Sequence, residues 1–336
     1  MGMEPTISII TPGYQQVAYL PVCLASVRDQ AYGSVEHIVV DGGSTDGSKE
    51  FLAVHADQLT WWCSEKDRGQ SHAINKGLEH ATGSVFGWIN SDDLLLPGSL
   101  KFVGEQFSAD PELLILTGRR TLRDEEGRDT SSPLNDASDH DALFIAPHIN
   151  QQSTFFRMDA VRAVGGVDEE LHYVMDLELW WQLLFTHGPE HVRSVDQVLA
   201  VFRLHGESKT GRGTLPFRTE TAWILRNMAM QLGMHILVEV LSTGYPTGHS
   251  VRAMPLREGH RTIVERMIIH FLLKWHGTIH EREEFEMMRL FMSAWKVDPS
   301  CLSAEDRDKF ISLEEQLKAP NWLAFRIKRK LQFRRA

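Results

Sequence analysis

The residues best suited to chemistry are carboxylates at the ends of apolar runs. Ser91-Asp92-Asp93 follows Val85-Phe86-Gly87-Trp88-Ile89 after a single Asn90. Adjacent carboxylates repel each other unless a cation or hydrogen bonds relieve them. A hard divalent cation bridging a diphosphate is one form of relief, because magnesium-like sites use one or two carboxylates plus phosphate oxygens. Capping of a helix that starts near Pro97 is another use for Asp92 or Asp93, and these residues alone leave both open. Two other runs end in a similar way: Thr11-Pro12-Gly13-Tyr14 after Ile7-Ser8-Ile9-Ile10, and Asp41-Gly42-Gly43-Ser44 after His37-Ile38-Val39-Val40. Ordinary turns use the same residue types. In an open parallel sheet, however, ligands bind outside the carboxyl ends of the strands, so three such ends would converge on one crevice.

Elements must hold those ends. Short strand-like runs at 7–11, 36–41, 61–63 and 85–89, the first of them rich in β-branched residues, alternate with helical spacings at Leu20, Leu24 and Val27, at Ala73, Ile74, Gly77, Leu78 and Ala81, and at Leu100, Val103 and Phe107. The alternation predicts βαβ units, right-handed crossovers and an α/β domain on a mainly parallel sheet flanked by helices. Ser44-Thr45-Asp46 is placed to cap a short helix. Beyond Pro111 the pattern gives strands at 113–117, 153–157 and 198–204, and a polar loop or irregular hairpin over 123–141. It also gives a helix over 176–185 with Leu179, Trp180, Leu183 and Leu184 facing inward. A loop at 206–213 marks a boundary, and from Pro216 onward nearly everything reads as helix. The expected organisation is a domain over 1–213 and a helical C-terminal region over 214–336, with no internal repeat.

The composition narrows the function classes. The chain has 336 residues, 42% of them hydrophobic and 24% charged, which fits about two globular domains and excludes collagen-like or wholly disordered chains. Three widely spaced cysteines, Cys23, Cys63 and Cys301, give no disulfide framework or cysteine zinc cluster and suit a reducing, cytoplasmic setting. Met1-Gly2-Met3-Glu4-Pro5 lacks the features of a secretory signal. No apolar run reaches the ~18 residues of a membrane span; the longest pattern, 263–275, is broken by Glu265, Arg266, His270 and Lys274. The net charge is −10, yet residues 321–336 carry Arg326, Lys328, Arg329, Lys330, Arg334 and Arg335 and no acid, so the rest of the chain holds −16. An acidic body argues against a nucleic-acid partner. In the tail, Trp322, Phe325 and Phe333 fall close to one helical face, with Ile327 and Leu331 apart from it. Residues 321–336 therefore read either as a terminal helix docked by its aromatic side or as a peripheral contact with the inner face of a membrane.

A set of blocks in a fixed order carries a resemblance. These are Ile9-Ile10-Thr11-Pro12; Val39-Val40-Asp41-Gly42-Gly43-Ser44-Thr45-Asp46-Gly47; Ser64-Glu65-Lys66-Asp67-Arg68-Gly69-Gln70; Ala73-Ile74-Asn75-Lys76-Gly77; Ala81-Thr82-Gly83; and Trp88-Ile89-Asn90-Ser91-Asp92-Asp93. Together they resemble the family 2 glycosyltransferases, inverting enzymes of the GT-A fold. The resemblance is strong over roughly residues 5–105 and patchier to about residue 210. It implies that Thr11, Pro12 and Tyr14 line a nucleotide pocket, that Asp41 hydrogen-bonds the base, and that Asp67, Gly69 and Asn75 shape the pocket around a nucleotide-sugar. Ser91-Asp92-Asp93 matches the DxD-type motif, with Ser in its first position. That match implies Asp92 near the ribose and Asp93 as ligand of Mn²⁺ or Mg²⁺.

Two later segments extend the resemblance. Gly165-Gly166-Val167-Asp168-Glu169 with Tyr173-Val174-Met175-Asp176-Leu177-Glu178-Leu179-Trp180 resembles the segment of the catalytic base, which implies that role for Asp176. Met175 stands where many members have an acid. A helix N-cap is a compatible second use of Asp176, and Glu178 is the rival base. Val201-Phe202-Arg203-Leu204-His205-Gly206-Glu207-Ser208-Lys209-Thr210 resembles the segment after the last core strand, which implies that His205 reaches the metal and diphosphate. Residues 148–152 are candidates for an acceptor groove; Trp180 and Trp181 could stack on a sugar, although their helical position favours core packing. The implied reaction moves a sugar from a UDP-type donor to a hydroxyl of a saccharide or lipid-linked acceptor, as in cell-surface polysaccharide synthesis. A nucleotidyltransferase is a rival, but it would want a Gly-rich basic loop after the first strand, and Thr11–Gln16 has one Gly and no Lys or Arg. A non-catalytic nucleotide-binding scaffold is a second rival, opposed by the joint presence of Asp41, Asp93, Asp176 and His205.

Overall fold

The computed structural model describes residues 4–246, 250–297 and 302–333. Cys301, Arg334, Arg335 and the first three residues lie outside that set. The chain folds as two compact units, Met1–Leu143 with Pro147–Pro216, and Phe144–Ala146 with Phe217–Ala336.

The first unit is built on one sheet of nine strands: β1 Ile7–Gly13, β2 Val35–Asp41, β3 Trp61–Ser64, β4 Val85–Trp88, β5 Leu94–Leu95, β6 Ile115–Arg123, β7 Asp129–Ser131, β8 Thr154–Arg157 and β9 Val192–Arg203. Their order is β3-β2-β1-β4-β8-β6-β9-β5, with β7 on β6. β1 pairs in parallel with β2 and β4, and β2 with β3. β8 is antiparallel to both neighbours, and β9 runs parallel to β6. The chain-order reversal beside β1 puts the ends of β1, β2 and β4 on one rim, as crevice sites in such sheets require.

Helices α1 Leu20–Arg28, α2 Ser48–Val54, α3 Gln70–His80, α4 Ser99–Ala109, α5 His140–Ile145, α6 Met158–Ala163 and α7 Met175–His187 follow. On one face of the sheet Ile7, Ile9, Val85 and Phe155 pack with Cys23, Val27, Leu100 and Val103. On the other face α3 approaches β1 so closely that a Cβ at Gly77 would stand 2.6 Å from Cγ2 of Ile10. Glycine is what permits that approach.

Some elements differ from the sequence reading. β6 and β9 are longer than the strands predicted at 113–117 and 198–204, because polar and basic residues continue each ladder past its apolar core; a bulge interrupts their register between Thr117 and Arg120. The 123–141 segment contains the hairpin of β6 and β7. α7 begins with Met175, and its N-cap is Val174, so Asp176 sits inside the first turn. α4 starts at Ser99 after Gly98, so neither Asp92 nor Asp93 caps it. α2 starts at Ser48 after Gly47; Asp46 instead accepts hydrogen bonds from the Ser48 N–H at 3.1 Å and hydroxyl at 2.7 Å.

The second unit is helical: α8 Leu215–Gln231, α9 His235–Gly244, α10 Arg261–His276, α11 Arg282–Ala294, α12 Ala304–Leu317 and α13 Trp322–Phe333. Leu237, Ile268, Leu272, Phe285, Met288, Phe291 and Leu313 are buried. Within that core His276 is held between the Tyr245 hydroxyl at 2.7 Å and Glu284 at 3.0 Å. Among the described residues no helix is long and apolar enough to cross a membrane.

Candidate active site

Three strand ends form the crevice. Gly13, Tyr14, Gln16, Asp41, Ser48 and Ser91 line it, with Leu20, Val39 and Leu52 beneath. Tyr14 presents its ring outward at 62% exposure, while Pro12 is buried and its carbonyl accepts from the Ser91 N–H at 3.3 Å. Thr11 is fully buried, and its hydroxyl lies 2.9 Å from His37 Nε2. Burial pushes the His37 imidazole down to about 3, so it is neutral there. The turn after β1 is held in an unfavourable shape: Gln15 has φ of 55°, and its N–H donates to Ser44 Oγ at 2.8 Å. Such non-glycine backbone costs of order 1–3 kcal/mol and persists where neighbours over-determine it.

Asp41 is fixed from several sides. Its Oδ2 accepts from the Ser44 N–H at 2.9 Å and from Ser64 Oγ at 2.5 Å, and its Oδ1 accepts from Ser44 Oγ. Asp67 accepts from the Gly69 N–H at 2.8 Å. Gly69 is the N-cap of α3 with φ of 116°, a backbone shape that favours glycine. Asn75 does not open into the crevice; its amide pairs with the backbone of Val167, donating at 2.9 Å and accepting at 3.0 Å. It thereby clamps the Gly165–Glu169 segment that leads to α7.

The carboxylates after β4 are deeply set. Ser91 and Asp93 are fully buried and Asp92 is 8% exposed. Asp93 accepts from the Arg203 N–H at 3.0 Å, from Gln152 Nε2 at 2.8 Å and from Asn90 Nδ2 at 3.3 Å. Asp92 Oδ2 accepts from Gln16 Nε2 at 2.9 Å and lies 3.1 Å from His205 Nε2. Burial and the neighbouring Asp92 charge push Asp93 up to about 8, against the pull of those hydrogen bonds and Arg120. That shift shows that burial beside a second carboxylate disfavours the ionised form. His205 stacks on Tyr19 at 4.7 Å, and its Nδ1 is buried without a hydrogen-bond partner. Among the described residues no three His, Cys, Asp or Glu side chains make a self-sufficient metal site. The Asp92–Asp93 pair and His205, whose Nδ1 lacks a partner, are the groups that could offer ligands to a divalent cation, and phosphate oxygens would have to complete its shell.

Asp176 stands at the start of α7, partly exposed, and accepts from the Leu177 N–H at 2.9 Å. Burial pushes its carboxyl above the usual range, opposed by the Leu177 N–H, Arg120 and Lys209. Glu178 is wholly buried and accepts from Gln182 at 2.8 Å. Trp180 and Trp181 are core residues, 0% and 3% exposed, with Trp180 Nε1 donating to the Leu143 carbonyl at 2.9 Å.

The sequence reading missed the side chains that tie these groups together. Arg120 on β6 donates to Gln152 at 2.6 Å and covers the Phe202 ring at 4.7 Å. Burial lowers the pKa of its guanidinium, and the nearby Asp93 and Asp176 charges oppose that fall. Arg203 donates to the Asp92 carbonyl and covers Tyr19 at 4.9 Å. Lys209 donates to Gln70 at 2.6 Å and to the His172 carbonyl, and Gln70 donates to Asn90 at 2.6 Å. Residues 148–152 buttress the site: Gln151 donates to the Trp88 carbonyl at 2.6 Å, and Asn150 to the Gly118 carbonyl at 2.9 Å. The signal available in the sequence was Gly118-Arg119-Arg120, a charged pair continuing an apolar strand.

Comparison with known proteins agrees with this geometry. Residues 8–165 match the family described as Glycosyl transferase family 2. A PGL/p-HBAD biosynthesis glycosyltransferase of Mycobacterium bovis (strain BCG / Pasteur 1173P2) is 31% identical over 169 residues, 48% of this chain and 62% of that protein. An uncharacterized glycosyltransferase of Mycobacterium tuberculosis (strain CDC 1551 / Oshkosh) is 38% identical over 94 residues, 28% of this chain and 36% of that protein. The chain thus spans between about a third and under two thirds of the length of these relatives. The crystal structure of S. aureus TarS 1-349 in complex with UDP-GlcNAc superposes with a TM-score of 0.63 at 14% identity, covering 94% of this chain and 93% of that one. The mannosyltransferase PcManGT from Pyrobaculum calidifontis, in complex with GDP-Man and Mn²⁺, gives 0.54 at 17% identity, covering 94% and 87%. These structural likenesses identify the fold as GT-A.

Proposed function

For a chain whose residues 8–165 belong to glycosyl transferase family 2, we propose an inverting glycosyltransferase that moves a sugar from a UDP-linked donor to a hydroxyl of a saccharide or lipid-linked acceptor. The observation that carries this is Arg120. It donates to Gln152, which in turn donates to Asp93, and its guanidinium lies within electrostatic reach of both Asp93 and Asp176, which supports placing the carboxylate suited to the donor diphosphate and the one suited to the acceptor proton in one site.

Asp176 accepts the proton of the attacking hydroxyl. Burial raises its carboxyl above an ordinary aspartate's, which suits a proton acceptor, and Arg120 and Lys209 oppose that rise. Asp41, with the wall formed by Thr11, Pro12 and Tyr14, receives the base; Asp67 and Gly69 shape the floor, Asn75 acts from behind by holding the Gly165–Glu169 segment, and Ser91 and Asp92 face the ribose. Asp93 and His205 would hold Mn²⁺ or Mg²⁺, which when bound stabilises charge on the departing nucleoside diphosphate. A single displacement needs no enzyme nucleophile, in contrast to retaining glycosidases with their paired carboxylates.

Domain limits at 1–213 and 214–336 suit this reading, with the donor and base residues all in the first part. One relative is named for PGL/p-HBAD biosynthesis, and a lipid-linked acceptor would place the enzyme at the inner face of a membrane. The test is a panel of nucleotide-sugars scored for release of nucleoside diphosphate, with and without EDTA. The expected outcome is turnover of a UDP-sugar that EDTA abolishes and Mn²⁺ or Mg²⁺ restores, with Asp93→Ala losing that dependence and tight UDP binding together. Full turnover in EDTA would remove Asp93 and His205 as metal ligands.

A further inference from the structure

We propose that the outward face of α13 is a docking surface for an anionic lipid bilayer. The inference deepens the location given above, but it stands on α13 alone and its test does not depend on catalysis.

Helix α13 has two unlike faces. Trp322 and Phe325 turn toward α11, with ring centroids 5.9 and 5.3 Å from Phe285, and Phe325 is 4% exposed. Asn321 accepts from the Ala324 N–H at 3.0 Å and starts the helix, while Arg289 holds the Pro320 carbonyl at 2.7 Å. The aromatic side is therefore docked, and a membrane contact cannot use it. What it leaves outward is Leu323 at 66% exposure and Ile327 at 53%, with Arg326 exposed beside them.

Single exposed aliphatic residues are ordinary. Here they form a row. Leu323 and Ile327 stand four apart, one above the other on a helix, and Leu331 follows at the same spacing in the sequence. Arg326, Lys330 and Arg334 recur in the sequence at that spacing too. An aliphatic row beside a cationic row suits the bilayer interface, where the first reaches the acyl boundary and the second meets headgroup phosphates. Charge points to the same occupant: residues 321–336 hold six cations and no acid. The rest of the chain, at −16 once those six are removed from the net −10, is repelled by the same surface, which confines contact to this helix. A nucleic acid would satisfy the cations and leave the aliphatic row in water.

The experiment is co-sedimentation of the full chain with vesicles of equal parts phosphatidylcholine and phosphatidylglycerol, and with phosphatidylcholine alone. Binding is expected only to the mixed vesicles and is expected to weaken as salt rises. Leu323→Ser with Ile327→Ser should weaken it about tenfold or more, since two aliphatic side chains no longer leave water. Far-UV circular dichroism of the variant should match wild type, because both positions are exposed. The proposal is overturned if the full chain stays in the supernatant with mixed vesicles at low salt, or if the double variant binds as wild type does. It is also overturned if the chain dimerises without lipid and the double variant abolishes the dimer, because the face then belongs to a second copy.

Discussion

Asp93 and Asp176 are identical side chains that their surroundings set apart. Asp93 is buried beside another carboxylate and is pushed up to about 8; Asp176 is raised by burial but tempered by Arg120 and Lys209. A base works ionised, so kcat/KM should rise with pH through a limb set by Asp176, above the ordinary aspartate range. Removing the Arg120 charge takes away a group that holds Asp176 down. Arg120→Met should therefore move the acid limb to higher pH, measured with donor and divalent cation saturating; an unmoved limb would separate Arg120 from the base. The strand-end carboxylates were legible from their position after apolar runs, and Asp176 from the resemblance of its segment. The ties that Arg120, Gln16, Gln70, Gln152 and Lys209 make were not. Their partners lie 20 to 139 residues away in the chain, beyond anything local spacing reports, and their types are common on surfaces.

At the level of elements, β1 to β4 and their helices were readable because apolar runs of period two alternate with runs of period near four. β6 and β9 were read short, since Arg119, Arg120, Asp196 and Gln197 look like loop residues and enter the strands through a bulged register. The cap of α7 was misplaced for a related reason: Asp is the favoured capping type, yet its backbone already lies within the helix. The C-terminal helices were legible as helices, but the buried Tyr245–His276–Glu284 chain was not. Burial alone would raise the Glu284 carboxyl, but His276 and the N–H groups of His280 and Glu281 outweigh it and hold it at about 2. A carboxyl lowered on folding adds stability above its unfolded value, near 4.5, and loses it as pH falls toward about 2. Glu284→Gln should remove that acid-side loss from the thermal unfolding profile while lowering stability near neutrality. An unchanged acid limb by calorimetry would show that the chain of bonds does not carry it.

For the molecule as a whole, composition was informative where it was uneven. A net charge of −10 hides a basic end and an acidic remainder, and that asymmetry bears on location rather than fold. The change of periodicity after the 206–213 loop led to the expected limits 1–213 and 214–336; the compact units of the structure divide between Pro216 and Phe217, and the return of Phe144–Ala146 to the second unit has no local signature. The central claim is that the first unit transfers a sugar with Asp176 as the base. It is tested most directly by comparing wild type and Asp176→Asn in two measurements on the same preparation: turnover of the nucleotide-sugar found by the donor panel, and UDP affinity by calorimetry in saturating Mn²⁺. The account predicts a ~10²–10⁴-fold loss of turnover, the usual contribution of a general base, with UDP affinity nearly unchanged. Turnover within about threefold of wild type, far short of a lost general base, would contradict it and pass the role to another group.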